Sequence, residues 1–189
     1  MMRRHLPTLA LLLGALLAGG GCLGFGGKRT PQIRYYTVSL GAEETHLPFA
    51  VRVGNFSAAP PYRTTRIALR RSRFQLDYYD FNRWVANPQS LLAAAVQTYF
   101  DRVGNPGDSN PIEVNGNIDR LEAEGTDGSL SAVTAITFDA HHDARVLLQR
   151  SYVEKVHVDG DDPEDVVAAL SQALDRILGR FAADLTAAR

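Results

Sequence analysis

The side chains best suited to hold an ion lie in Asp139-Ala140-His141-His142-Asp143. Imidazole nitrogens and carboxylates suit zinc, which takes four ligands in a closed site. Neighbouring strand residues point to opposite faces, so His141 and His142 reach one ion only across a turn. The run into Ala144-Arg145 predicts such a turn, and polar groups at an exposed hairpin tip are its plainer meaning. No metal and no cofactor is assigned. Asp159, Asp161, Asp162, Glu164 and Asp165 form a second cluster. It lacks the glycine and closing glutamate of a calcium loop, and it stands where a helix start favours negative charge. No G-x-S-x-G elbow occurs, and no glycine-rich loop joins a strand to a helix. With no nucleophile–base pair in view, the chain is expected not to be an enzyme.

The remaining reactive side chain is Cys22, the only cysteine in 189 residues. Ahead of it stand Met1-Met2-Arg3-Arg4-His5, positively charged and free of acids, and then the apolar run Leu6 to Ala18. That run is shorter than the roughly 20 residues a spanning helix needs, and it has the flanks of an export signal. Leu17-Ala18-Gly19-Gly20-Gly21-Cys22 resembles a lipobox, with Gly19 where a larger aliphatic residue usually stands. Acylation of Cys22 accounts for a lone thiol in an exported chain. Ordinary cleavage with an unmodified thiol is the alternative. The expected organisation is a signal at residues 1–21, the lipidated (palmitate-bearing) cysteine and a glycine-rich tether at 22–31, and one periplasmic domain at 32–189.

Without Arg3 and Arg4, 18 basic residues face 21 acidic ones, a formal charge of −3. Phosphate binding needs a concentrated basic surface, so nucleic acid is not expected as a partner. Positive charge does gather locally, at Arg63, Arg66, Arg70, Arg71 and Arg73. Tyr78-Tyr79-Asp80-Phe81-Asn82-Arg83-Trp84 follows, with the only tryptophan. Arginine rims and aromatic anchors together mark interfaces. Arg63, Arg66, Arg70, Arg71, Arg73, Tyr79 and Trp84 are therefore the candidate partner surface, against the commoner meanings of a solvated edge and packed rings.

These residues must be positioned by the elements around them. Ile33 to Leu40 and Leu47 to Val53 read as strands, Pro60-Pro61 breaks the chain, and Thr64–Leu69 and Phe74–Tyr78 are two more short strands. Asn87 with Pro88 opens a helix carrying Leu92, Val96 and Tyr99, which ends at Gly104. Ile112–Glu122, Ser131–His141 and Val146–Val158 form an antiparallel meander, the first turn at Gly125–Gly128. Asp162 and Pro163 open the last helix, whose stripe is Val166, Leu170, Leu174, Ile177, Phe181 and Leu185. The order predicts an α+β domain, a mostly antiparallel sheet with two helices packed on it.

Tyr35-Tyr36-Thr37-Val38, Val51-Arg52-Val53 leading to Pro60-Pro61-Tyr62, Arg66-Ile67, Trp84, and Pro88 with Leu91 and Leu92 together resemble the ABC-type transport auxiliary lipoproteins. That resemblance implies an accessory subunit of an MCE-type lipid transport system, of which the paraquat-inducible system is one. The subunit would be anchored at the outer membrane, docked on an MCE protein that carries phospholipid or other hydrophobic cargo. Leu23 after the cysteine fits outer-membrane sorting. A homo-oligomer is left open, as are cargo and direction. The alternative is a general envelope assembly or stabilising lipoprotein serving secretion or pilus machinery. Neighbouring genes for an MCE protein, permease and ATPase would favour the first.

Overall fold

A computed structural model describes residues 31–41, 45–126, 128–160 and 162–189. The signal, Cys22 and the tether up to residue 30 lie outside the described residues. Strands β1 (Arg34–Tyr36), β2 (Val51–Ala58), β3 (Arg66–Arg70) and β4 (Leu76–Trp84) precede helix α1 (Pro88–Val103). Strands β5 (Ile112–Thr126), β6 (Ser129–His142), β7 (Arg145–His157) and helix α2 (Pro163–Ala188) complete the chain. Among the described residues seven strands make one sheet in the order β1-β4-β3-β5-β6-β7, with β2 paired to β5.

The long pairings β5–β6 and β6–β7 are antiparallel, as the alternating pattern predicts. Two tight turns join them. Gly128 has φ +81° and Asp143 has φ +53°, the left-handed geometry that two-residue hairpins require and that glycine and aspartate tolerate. Both helices cover one face of the sheet, α1 on β2 and α2 on β6 and β7. Their stripes meet in an aromatic core. Phe181 of α2 stacks on Phe138 of β6 at 4.2 Å, and Phe100 of α1 meets Phe181 edge-on at 5.9 Å. Each such ring, fully buried, contributes about 1.5–3 kcal/mol.

Three details depart from the sequence reading. Ile33 to Leu40 is a strand only over Arg34–Tyr36. Beyond Tyr36 the chain leaves the sheet for the helices: the Ser39 N–H donates to Ser171 Oγ at 3.2 Å and the Gly41 N–H to Asp175 Oδ2 at 2.8 Å. Leu47 and Phe49 are buried, yet the strand begins at Val51 and runs on to Ala58 through a bulge between Val53 and Phe56. Asn87 does sit at the N-cap of α1 before Pro88, but its side chain makes no capping bond; its carbonyl instead accepts from the Leu91 N–H at 2.9 Å.

Candidate functional site

The arginine-rich segment is shaped by the interruption at Pro60-Pro61. β2 runs parallel to β5 beside Ile112–Ile118, and β3 runs parallel to it beside Glu122–Glu124. They are two pieces of one edge. Between them the prolines, which have no N–H to give to a ladder, form a 3-10 turn over Pro60–Tyr62. Tyr62 is buried, and its hydroxyl donates to Glu122 Oε2 at 2.7 Å.

Glu122 is 0% exposed on β5. Its burial follows from a register shift between Ile118 and Arg120. Up to Ile118 the even positions of β5 face the helices; beyond it Leu121 and Ala123 take that role, and Glu122 turns to the opposite face. There Arg70 donates Nε to Oε1 at 2.8 Å and Nη2 to Oε2 at 3.0 Å. Arg120 adds Nε to Oε1 at 2.8 Å and a closer contact from Nη2. Arg120 Nη2 also reaches Glu124 Oε2 at 2.6 Å, and Lys155 reaches Glu124 Oε1 at 2.7 Å. Burial alone would favour the neutral acid, but the bonds from Arg70, Tyr62 and Arg120 outweigh it and hold the Glu122 carboxyl below its ordinary range. Burial, with the neighbouring carboxylate, pushes the Tyr62 hydroxyl up to about 12. Sequence reading missed Glu122, because two of its three partners, Tyr62 and Arg70, are distant in the chain.

This cluster fixes the base of the β3–β4 hairpin and leaves the tip free. Of the arginines proposed for a partner, Arg70 is consumed by Glu122. Arg63 donates Nε to the Ala58 carbonyl at 2.8 Å beside the 3-10 turn. Arg66 lies 4.8 Å from the Tyr78 ring centre and 3.5 Å from Asp80 Oδ1. Arg71 pairs with Asp77 at 3.4 Å at the exposed tip, and Arg73 lies 5.5 Å from the Phe74 ring centre. Tyr79 is half-buried, and burial raises its hydroxyl pKa against a smaller opposing effect of Arg71. Trp84 is buried in the core, so it packs the fold and is not accessible to a partner.

The aromatic at the tip is Phe74, 91% exposed, which was expected to begin a strand. The strand instead starts at Leu76, because Ser72 closes a turn first: its Oγ accepts the N–H groups of Phe74 and Gln75, both at 3.2 Å. Ser72 among arginines was the signal for that turn. The tip thus offers one exposed ring with the Arg73 guanidinium beside it.

The other candidates stay apart. His141 Nε2 lies 2.9 Å from Asp139 Oδ1, and His142 Nδ1 lies 4.0 Å from Asp143 Oδ2. Among the described residues no three His, Cys, Asp or Glu side chains come together as a metal site. Asp165 Oδ2 accepts the Asp162 N–H at 3.3 Å at the start of α2, a capping contact. Among the described residues no helix is long and apolar enough to cross a membrane.

A family model for the ABC-type transport auxiliary lipoprotein component matches residues 37–182. The chain belongs to that family. Its fold is that of protein XCC0632 from Xanthomonas campestris, a DUF330 protein, with a TM-score of 0.69 at 18% identity over 82% of this chain and 96% of that one. A second crystal structure, of an uncharacterized protein, gives a TM-score of 0.66 at 15% identity over 82% of this chain and 99% of that one. No curated protein matches the chain. The family match spans the whole hairpin and its Glu122 clamp, so both belong to the auxiliary domain itself.

Proposed function

We propose that this chain is a periplasmic accessory lipoprotein of an MCE/ABC-type transport system for phospholipid or other hydrophobic cargo, anchored at the outer membrane by acylated Cys22. It acts by docking to the MCE subunit through the β3–β4 tip, and it makes or breaks no bond. Family membership supports the transport role. The observation that carries the docking surface is Phe74, 91% exposed with the Arg73 guanidinium 5.5 Å from its ring centre, on a hairpin whose base is clamped. A bare ring on a pre-positioned loop gives contact area at little entropic cost, and a guanidinium group beside it suits an acidic rim.

The test is capture of the acylated chain by an MCE protein from the same organism. Phe74→Ala should weaken capture by about 2 kcal/mol, roughly thirtyfold, if the ring is a central anchor. Arg71→Glu with Arg73→Glu should weaken it further, more so at low salt. Arg70 is left intact, since its loss would disturb the fold. Unchanged capture by the triple variant at physiological salt would move the docking surface elsewhere.

A further inference from the structure

Four of the seven exposed large apolar side chains among the described residues meet at one edge of the sheet. Ile33, Tyr35, Phe81 and Val85 are between 45% and 62% exposed. The parallel register pairs Arg34 with Asn82, Tyr35 with Arg83 and Tyr36 with Trp84. One step back along that register, Ile33 falls beside Phe81. Alternation places Ile33, Tyr35, Phe81 and Arg83 on one face, and Val85, whose N–H donates to the Tyr36 carbonyl at 2.9 Å, continues it. The opposite face carries Trp84 into the core, which leaves the outward set without a cover from its own domain. Contiguous exposed apolar groups of this kind mark an interaction surface, unlike the scattered Val146 and Val153.

We infer that this patch is a seat on the membrane surface, a second contact that holds the domain against the bilayer to which Cys22 is anchored. The inference rests on the lipoprotein reading above. Chain length argues for the occupant. Cys22 and Ile33 are eleven residues apart, which at full extension is at most about 40 Å, so the patch cannot leave the neighbourhood of the acyl group. The chemistry agrees. Tyrosine, with an apolar body and a polar tip, settles at the headgroup level, and phenylalanine, isoleucine and valine supply the apolar face that sinks beneath it. Arg83, on the same outward face beside Tyr35, suits lipid phosphates. The geometry is also consistent with the docking proposal. Val85 lies just past the end of β4 and Phe74 just before its start, and nine extended residues separate the two by roughly 30 Å. The tip bearing Phe74 therefore lies at the far end of β4 from the lipid seat.

The experiment uses the acylated chain in vesicles of phosphatidylethanolamine and phosphatidylglycerol. Cys22 carries lipid there, so a thiol introduced by Val85→Cys or Phe74→Cys can be spin-labelled alone. Both positions are exposed and tolerate the change. The label at position 85 should be several-fold more accessible to oxygen, which partitions into lipid, than to a water-soluble nickel chelate, and the label at position 74 should show the reverse. Equal exposure of both labels to the chelate overturns the proposal. A label at position 85 that is shielded already in detergent, with dipolar broadening from a neighbouring label, also overturns it and assigns the patch to a second copy of the chain. If mass spectrometry finds Cys22 without acyl groups, the anchor reading fails by itself. The patch is then judged on the unacylated chain: vesicle co-sedimentation lost about tenfold in Tyr35→Ser with Phe81→Ser supports it, and co-sedimentation absent or unaffected by that change overturns it.

Discussion

Arg70 grips Glu122 with two parallel bonds, 2.8 and 3.0 Å, across the short parallel pairing of β3 with β5. A bidentate guanidinium–carboxylate pair fixes direction as well as distance, which a single bond would not. Its consequence is local rigidity: the hairpin leaves the sheet at Arg70, so the orientation of the tip is set where the ion pair sits. Tyr62 ties the 3-10 turn to the same carboxylate, so both ends of the interrupted edge converge on one buried group.

Breaking one side of that pair should be costly. Arg70→Met removes the bidentate partner and leaves the buried carboxylate to Arg120 and Tyr62 alone, which costs up to about 3 kcal/mol. Replacing both, Arg70→Met with Glu122→Leu, removes the buried charge while Arg120 keeps Glu124, and should recover part of that loss, the Tyr62 hydroxyl being left without its acceptor. Urea unfolding of the two variants gives the comparison. A single variant as stable as wild type would show that Glu122 is solvated in a way its burial denies.

Acid should loosen the same cluster. The Glu122 carboxyl is held below its ordinary value of 4.5 in the folded chain. A depressed carboxyl contributes stability above its unfolded pKa, and that contribution is lost as pH falls through the folded value. Thermal midpoints should therefore drop below about pH 4.5, and Glu122→Gln should flatten part of that slope. Some slope will remain, since Lys155 and Arg120 hold Glu124 down as well. An identical acid limb in Glu122→Gln would remove Glu122 from the account.

Gly116 offers a test of packing on β5. A Cβ there would fall within 2.6–2.7 Å of the Cε atoms of Phe56 and nearer still to its Cζ. The ring fills the place of the absent side chain, and Phe56 in turn meets Phe138 edge-on at 6.2 Å. Gly116→Ala should cost about 1–3 kcal/mol by forcing that ring outward. Adding Phe56→Ala should make the glycine change nearly neutral, because the clash partner is gone. Additive losses in the double variant would place the strain in the backbone instead.

Helix α2 was legible because six apolar residues at helical spacing follow Asp162-Pro163, and every one of the six is buried. The β5–β7 meander was legible for a similar reason, since Ile112, Val114 and Ile118 alternate along β5 up to its register shift and Ala132, Thr134, Ile136, Phe138 and Ala140 alternate along β6. Glu122 was not. Between Arg120 and Glu124 it reads as part of a solvated edge, and only partners 60 and 52 residues away, Tyr62 and Arg70, make it a core residue. Parallel placement of β2 and β3 along β5 likewise leaves no local trace, because register is written in contacts and not in spacing. Trp84 shows the converse limit: an aromatic-rich run says that rings will pack, but not which of them face inward.

Lipidation of Cys22 remains the prediction that governs the rest. The residues before it supply positive charge, an apolar run too short to span a bilayer, and three glycines directly ahead of it. After cleavage the cysteine would be the first residue of the mature chain, followed by Leu23 and a glycine-rich tether. Cys22→Ala removes the only thiol. The expected outcome is loss of the acyl mass and release from the outer-membrane fraction, with either the uncleaved precursor or a soluble periplasmic form in its place. The folded domain should be unaffected, since its core is assembled from residues beyond position 46. Circular dichroism of wild type and variant should therefore superimpose while their fractionation differs. Wild-type mass without acyl groups, or a Cys22→Ala protein that still sediments with outer membranes at the mature size, would defeat the claim.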